Sequence, residues 1–257
     1  MNIVINADDF GKTESRNHAM HECMVQGYAD RASLVVNMAF DEAVLLAKKG
    51  GYVGRVGLHL NLAEGSPILS DSVNSILCSD DINGHFNMKC PLGDARLLAH
   101  HFLDMKSIIA IRKEIIAQME LFRSAGFMSD YIDSHCWSHM EFPVLIALLP
   151  IMKKYGFATI RSSWGLIDHY ALGSKLNLYW KFVSKFYKGR VSETWSGLGQ
   201  DYIDEYEKLE LKDKRCEIYC HPDILEDKLI DTKFDRSYRH VYMTEYKQSI
   251  LAGLGEV

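Results

Sequence analysis

The feature of this chain that most restricts its fold is a regular alternation of short apolar runs with longer segments of helical periodicity. The runs cover residues 3–5, 33–38, 56–62, 131–135, 158–161 and 217–221, and the helical segments cover residues 15–26, 41–49, 94–125, 142–155 and 238–252. Strand followed by helix, repeated in this way, predicts a parallel sheet. We therefore expect an α/β fold, either an irregular (β/α) barrel or an open doubly wound sheet, as one domain over residues 1–257.

Charge and hydropathy argue against a nucleic-acid partner and against a transmembrane segment. The net charge of −5 and the pI near 6.1 provide no basic field for a phosphate backbone, so no nucleic-acid partner is expected. No apolar run approaches the roughly 20 residues of a transmembrane segment, although the aromatic and basic stretch 179–187 leaves a membrane-surface contact open.

The cellular compartment is predicted from the first strand and the cysteines. The first strand begins at residue 3, which leaves no room for a signal sequence ahead of it. The six cysteines include no CxxC pair, so we expect reduced thiols rather than a zinc cluster or disulfides. A cytoplasmic protein is the resulting expectation.

Polar side chains follow the predicted strands at the ends where parallel α/β folds carry function. They are Asp8, Asp9, His59, Asn61, Asp133, His135, Arg161 and His221. One carboxylate and two imidazoles with an open position describe a hydrolytic divalent-metal site. Most of these residues also have a simpler interpretation: the two aspartates could cap a loop, His59 could be a core histidine, His135 could orient a turn and His221 could end a strand. Arg161 could pair with a site carboxylate or bind a substrate oxygen.

The order of the motifs resembles that of a known family. Residues 6–11, residues 57–62 with Gly65 and Pro67, Asp133-Ser134-His135 with His139, and residues 220–222 follow the pattern of the YdjC-like carbohydrate deacetylases, as do Glu114, Gln118 and Gly126 between them. The resemblance covers nearly the whole chain. It implies an irregular (β/α) barrel of the glycoside hydrolase and deacetylase type, and removal of an N-acetyl group from an amino sugar or glycan precursor.

Carried over position by position, the resemblance implies roles for five residues. Asp9, His59 and His135 would bind a divalent metal ion, Asp8 would act as the general base, and His221 would protonate the departing amine. The ion would be zinc or magnesium in the first place, with nickel, cobalt and manganese as alternatives. The substrate would be a small molecule or glycan carrying an N-acetyl amino sugar, and a homo-oligomer is left open.

Four residues are expected to contact the substrate: Asn61, Trp137, His139 and Arg161. Cys136 and Trp137 stand where the family commonly has further histidines, and the indole offers a stacking face for a sugar ring. Glu114, Gln118 and Glu120 are expected on an exposed charged helix face without chemistry. The aromatic-rich segment 162–200 has no clear pattern.

Two other functions stay open from the sequence. The chain could be another metal-dependent hydrolase on a similar barrel, such as a phosphoesterase or a non-sugar amidase. It could also be a catalytically silent glycan-binding protein.

Overall fold

A computed structural model of the chain describes residues 3–71, 77–78, 84–86, 104–162, 182, 185–186, 192–197, 216–232 and 241–253. Within these residues, seven parallel strands form a closed barrel in chain order, and the seventh strand pairs with the first. They are β1 (Ile3–Phe10), β2 (Arg31–Leu34), β3 (Val56–Leu60), β4 (Tyr131–Ser134), β5 (Thr159–Ser162), β6 (Ser192–Gly197) and β7 (Cys216–Cys220). The irregular (β/α) barrel is confirmed, and the open sheet is excluded by the pairing of β1 with β7.

Helices follow most of the strands, as the periodicity predicts. They are α1 (Glu14–Gln26), α2 (Phe40–Lys49), α3 (Met105–Ser124), α4 (Phe142–Met152) and α5 (Met243–Gly253). Thr13 begins α1 by accepting a hydrogen bond from the backbone of Arg16, and Gly27 ends it with φ of 75°. Asp104 caps α3 by accepting a hydrogen bond from the backbone of Ser107. Residues 94–103 of the predicted helix 94–125 lie outside the described residues.

Two parts of the chain differ from the expectation. Strand β6 lies in the segment that had no clear pattern, and the predicted aromatic stretch 179–187 lies mostly outside the described residues. After β7, Pro222 begins a small antiparallel sheet that was not predicted, of β8 (Pro222–Leu225), β9 (Lys228–Asp231) and β10 (Val241–Tyr242). A proline is tolerated there because it is the first residue of its strand.

The barrel interior toward the carboxyl ends of the strands is polar. Successive strand side chains alternate between the barrel interior and the helices, so β1 directs Asn6 and Asp8 inward while Ile5 and Ala7 join the apolar core. Gly57 on β3 has no side chain in this space, and a Cβ atom there would lie 2.5 Å from the ring of Tyr131. Gly57 therefore makes room for a buried tyrosine inside the barrel.

None of the described helices is both long enough and apolar enough to cross a bilayer.

Candidate metal centre

Three residues predicted to bind a metal ion converge at the carboxyl ends of the strands. Asp9, His59 and His135 each offer a ligand atom within 4.8 Å of the other two. Oδ1 of Asp9 lies 2.8 Å from Nδ1 of His135 and 3.5 Å from Nε2 of His59. These side chains come from β1, β3 and the turn after β4, so the barrel brings together three residues of which the first and the last are 126 positions apart in the sequence.

The backbone of Asp9 explains how two adjacent aspartates reach one site. In a regular strand Asp8 and Asp9 would point to opposite faces. Asp9 instead has φ of 73°, and the pairing of β1 with β2 shifts register between Ala7 and Phe10. Such a bulge re-aims a side chain, and non-glycine residues with positive φ are enriched at functional sites.

His59 is oriented by Asp133. The two residues face each other across β3 and β4, and Nδ1 of His59 lies 2.7 Å from Oδ1 of Asp133. Burial lowers the pKa of His59, but the charge and hydrogen bond of Asp133, together with the neighbouring Asp9 and Asp8, outweigh burial and raise the pKa to about 10. A carboxylate that holds one ring nitrogen leaves the other, Nε2, directed toward Asp9, as in the histidine ligands of metal sites.

The donor set fits a divalent cation. Within the described residues, Oδ1 of Asp9 is buried and accepts no hydrogen bond, although two imidazoles face it. Burial raises the pKa of Asp9, but the neighbouring imidazoles of His135 and His59 outweigh burial and hold that pKa well below its ordinary value. An ionised, buried oxygen beside two imidazoles is an arrangement that zinc and related ions accept.

Asp8 is held by an arginine rather than by the histidines. Nη1 and Nη2 of Arg161 donate to the two oxygens of Asp8 at 2.6 and 2.7 Å, and Asn6 donates to the same carboxylate at 2.7 Å. Burial raises the pKa of Asp8, while the charge of Arg161 opposes part of that rise. Asp8 is thus fixed in position beside Asp9 and is more basic than an exposed aspartate.

Arg161 is the centre of a buried charge network. Besides Asp8, its guanidinium lies 2.7 Å from Asp133 and 2.6 Å from Glu217. The hydroxyl of Tyr131 donates to Glu217 at 2.8 Å. Of the two alternatives for Arg161 from the sequence, the structure shows the pairing with site carboxylates, and its side chain is only 2% exposed. Glu217 was not expected in this network, because its β7 neighbours do not reveal which face it lies on.

Charged residues from the rim complete the site. Arg16 donates to Oδ2 of Asp9 at 3.1 Å. Nε2 of His135 lies 3.1 Å from Oε1 of Glu64, and Nζ of Lys12 lies 2.9 Å from Oε2 of the same glutamate. The hydrogen bond with His135 lowers the pKa of Glu64 to about 2. These three rim residues were not identified from the sequence, because charged residues in turns and on helices are usually solvated.

Two of the residues expected to contact substrate have their polar atoms paired within the protein. The amide of Asn61 is bonded to the backbone of residues 63–64 and to Asn37. Both ring nitrogens of His139 are also paired, with Ser134 at 2.6 Å and with the carbonyl of Arg161 at 3.1 Å. Burial lowers the pKa of His139 to about 3. A direct substrate contact by Asn61 or His139 stays a prediction that these contacts do not favour.

Trp137 and His221 lie on the side of β7. The indole of Trp137 is 6% exposed and meets the ring of Tyr219 edge to face at 5.9 Å. Cys136 and Trp137 both have positive φ, 53° and 57°, within the turn after β4. His221 is partly exposed and packs edge to face on Tyr219 at 5.8 Å, and its charge contributes to the lowered pKa of Asp9. Their predicted roles as substrate contact and general acid stay predictions.

The prediction for Glu114 and Gln118 was wrong. Both are fully buried on α3, whereas Glu120 is exposed as expected. Glu114 accepts hydrogen bonds from the backbone of Ile68 and Leu69 at 2.8 and 3.0 Å. Gln118 bonds both backbone groups of Asn61 at 3.0 and 2.7 Å. The two residues fall at helical spacing beside the apolar stripe of α3, so the periodicity contained the signal.

Comparison with known proteins gives consistent results. A carbohydrate deacetylase of Halalkalibacterium halodurans is 27% identical over 235 residues, which cover 89% of this chain and 88% of the relative. A carbohydrate deacetylase of Thermoanaerobacter pseudethanolicus is 27% identical over 242 residues, with 93% and 88% covered. A crystal structure from Enterococcus faecalis, of a protein provisionally described as a cellobiose-phosphate cleavage protein, matches with a TM-score of 0.65 at 18% identity, over 98% of this chain and 94% of that one.

The model of one protein family, described as YdjC-like protein, matches residues 2–249, a range that includes every residue of the candidate metal centre. The match agrees with the order of the motifs along the chain and with the convergence of Asp9, His59 and His135 at one end of the barrel. The chain belongs to the YdjC-like family.

Proposed function

We propose that this protein is a metal-dependent carbohydrate deacetylase that hydrolyses the N-acetyl group of an amino sugar or glycan precursor. The observation that carries the proposal is the placement of Asp8 next to the Asp9, His59 and His135 set. The names of the related carbohydrate deacetylases support the carbohydrate substrate and the deacetylation. The N-acetyl group and the amino sugar rest on the motifs of the family.

A divalent ion held by Asp9, His59 and His135 would polarise the amide carbonyl and lower the pKa of a water molecule. Zinc and magnesium are the first candidates. Nickel, cobalt and manganese also accept a carboxylate and two imidazoles.

Asp8 would accept the proton from the attacking water. Each oxygen of a carboxylate can accept more than one hydrogen bond, so Asp8 keeps capacity for a proton while Arg161 holds both of its oxygens. Its raised pKa favours this role, because a general base works best when its pKa approaches the working pH. Arg161 would act as a positioning residue, since its side chain is 2% exposed and its guanidinium is taken up by the carboxylates of Asp8, Asp133 and Glu217.

His221 would protonate the departing amine. An amine is a poor leaving group unless it is protonated, so the reaction needs an acid close to the scissile nitrogen. The partial exposure of His221 beside the site is compatible with that role. Trp137 would lie along the sugar ring, as aromatic faces do in sugar-binding sites.

The test is acetate release from a panel of N-acetylated amino sugars by protein loaded with one divalent ion at a time. Asp8→Asn is expected to reduce turnover by about 10²-fold or more, the usual effect of removing a general base, while the protein still binds the ion. His59→Ala and His135→Ala are expected to lose the ion, measured by elemental analysis of the purified variants.

The same panel separates the alternative functions. Release of phosphate from sugar phosphates without release of acetate would favour a phosphoesterase. Binding of a glycan with neither product, unchanged in Asp8→Asn, would favour a silent binding protein. Unchanged acetate release by Asp8→Asn would reject the role of Asp8 as the base.

A further inference from the structure

The two histidines of the metal centre are held by carboxylates through opposite ring nitrogens. Asp133 lies 2.7 Å from Nδ1 of His59, so His59 presents Nε2 to Asp9. Glu64 lies 3.1 Å from Nε2 of His135, so His135 presents Nδ1 to Asp9 at 2.8 Å. In a neutral imidazole one nitrogen carries the proton and the other has a free lone pair. The partner that accepts the proton therefore decides which nitrogen can bind a cation.

We infer that Glu64 is a positioning residue that accepts the Nε2 proton of His135 and so directs Nδ1 to the cation. This inference rests on the proposed metal-dependent function. Asp133 is fully buried within the barrel, whereas the side chain of Glu64 is 44% exposed on the loop after β3. The ring of His59 is thus oriented by a carboxylate inside the barrel, and the ring of His135 by a carboxylate at its rim.

The loop that carries Glu64 is fixed well enough for this role. Asn61 accepts hydrogen bonds from the backbone of Ala63 and Glu64 at 3.0 and 3.1 Å and donates to the carbonyl of Glu64 at 2.8 Å. Gln118 on α3 holds both backbone groups of Asn61. Hydrogen bonds that start from the buried Gln118 therefore hold the backbone that carries the exposed carboxylate of Glu64.

Lys12 competes for the same ring nitrogen. Its ammonium lies 3.4 Å from Nε2 of His135 and 2.9 Å from Glu64. A hydrogen bond from Lys12 to Nε2 would place the ring proton on Nδ1, which faces Asp9, and would block cation binding there. Glu64 opposes this arrangement in two ways, because it accepts the Nε2 proton and also pairs with the ammonium of Lys12.

The first experiment measures the Zn²⁺ dissociation constant of the full-length protein by competition with a chelator. Glu64→Ala is expected to weaken binding by about 10- to 100-fold, as loss of a carboxylate behind a histidine ligand typically does. Glu64→Gln keeps an acceptor oxygen, so its Zn²⁺ dissociation constant is expected to lie between those of the wild type and Glu64→Ala. Glu22→Gln, an exposed glutamate on α1, is the matched control and should bind as the wild type does.

The second experiment identifies the ligating nitrogens by two-bond ¹H–¹⁵N spectra of the Zn²⁺-loaded protein. We expect His135 to bind through Nδ1 with a proton on Nε2, and His59 to show the reverse. Co²⁺-loaded Glu64→Ala should also differ from the wild type in its visible absorption bands, since these report the ligand geometry.

The outcomes separate the two proposals. If the wild type binds no divalent cation, the proposed function itself fails. If binding is lost in Asp9→Asn but equal in Glu64→Ala and the wild type, or if His135 binds through Nε2, the role of Glu64 is overturned while the metal site stands.

Discussion

Removal of Arg161 tests whether one guanidinium holds the interior of the barrel together. Arg161 is 2% exposed and meets Asp8, Asp133 and Glu217 within 2.7 Å. Leaving a buried charge without its partner costs about 3–5 kcal/mol. Asp8 would lose the guanidinium that bonds both of its oxygens, whereas Glu217 keeps Arg31 at 2.6 Å and Asp133 keeps His59 at 2.7 Å. We therefore expect Arg161→Met to lose at least about 3 kcal/mol of unfolding free energy, a large part of the roughly 5–15 kcal/mol of a typical domain.

A conservative variant separates charge from geometry. Lysine supplies the charge at one point and cannot replace a planar fork that bonds both oxygens of Asp8 while its Nε reaches Glu217. Arg161→Lys is expected to lose about 1.5–3 kcal/mol, the size of one hydrogen bond to a charged group. Both losses are measured by urea unfolding followed by circular dichroism.

A double-mutant cycle supplies the control. Glu217→Gln removes one of the three carboxylates, so it should cost less in the Arg161→Met background than in the wild type. Arg161→Met within about 1 kcal/mol of the wild type, or two substitutions whose effects simply add, would refute the reasoning.

Three further predictions concern stability. Gly11→Ala should lower the melting temperature more than Gly27→Ala, because both glycines have positive φ but only the Cβ at Gly11 would overlap the carbonyl oxygen of Val35; equal losses would contradict this. The pKa of His139 is about 3 in the folded protein against about 6.5 unfolded, so the unfolded state binds more protons below pH 6.5 and the free energy of unfolding falls as the pH drops. His139→Gln should therefore remove about 2 kcal/mol of the loss in unfolding free energy between pH 8 and pH 5, measured by denaturant titration. The same pH dependence in the variant and the wild type would contradict this. Chelation of the divalent ion should lower the melting temperature reversibly, with no shift expected in Asp9→Asn, and a chelation shift that persists in this variant would contradict the assignment.

The sequence predicted most of the strands and helices, because these elements have a regular period along the chain. The alternation of apolar runs and helical periodicity predicted six of the seven barrel strands, because burial on a strand or helix leaves a pattern in neighbouring residues. Strand β6 was missed, since the sequence around residues 192–197 is polar and aromatic without alternation. The hairpin that begins at Pro222 was missed because a proline after a strand normally ends it.

The candidate metal site was predicted as a set of residues but not as a network. Position at strand ends selected eight polar residues, and the resemblance to the family assigned metal binding to Asp9, His59 and His135 and the role of base to Asp8. Position at strand ends could not select Glu64, because its partner His135 is 71 positions away in the sequence and long-range hydrogen bonds leave no local pattern.

The buried polar residues of α3 also depend on partners that are distant in the sequence. Glu114 and Gln118 resemble solvated helix residues until their backbone partners on the loop after β3 are known. Their positions beside the apolar stripe were the available signal, and residue type alone was misleading.

The left-handed backbone of Asp9 has a consequence for how the chain can change. The left-handed φ of Asp9 lets two consecutive residues face the same site, so the proposed base and the proposed ligand are adjacent in the sequence. β-branched residues are strongly disfavoured at such an angle, whereas asparagine and glycine accept it. Asp9→Asn is therefore the substitution that changes the chemistry at this position while leaving the path of the chain intact.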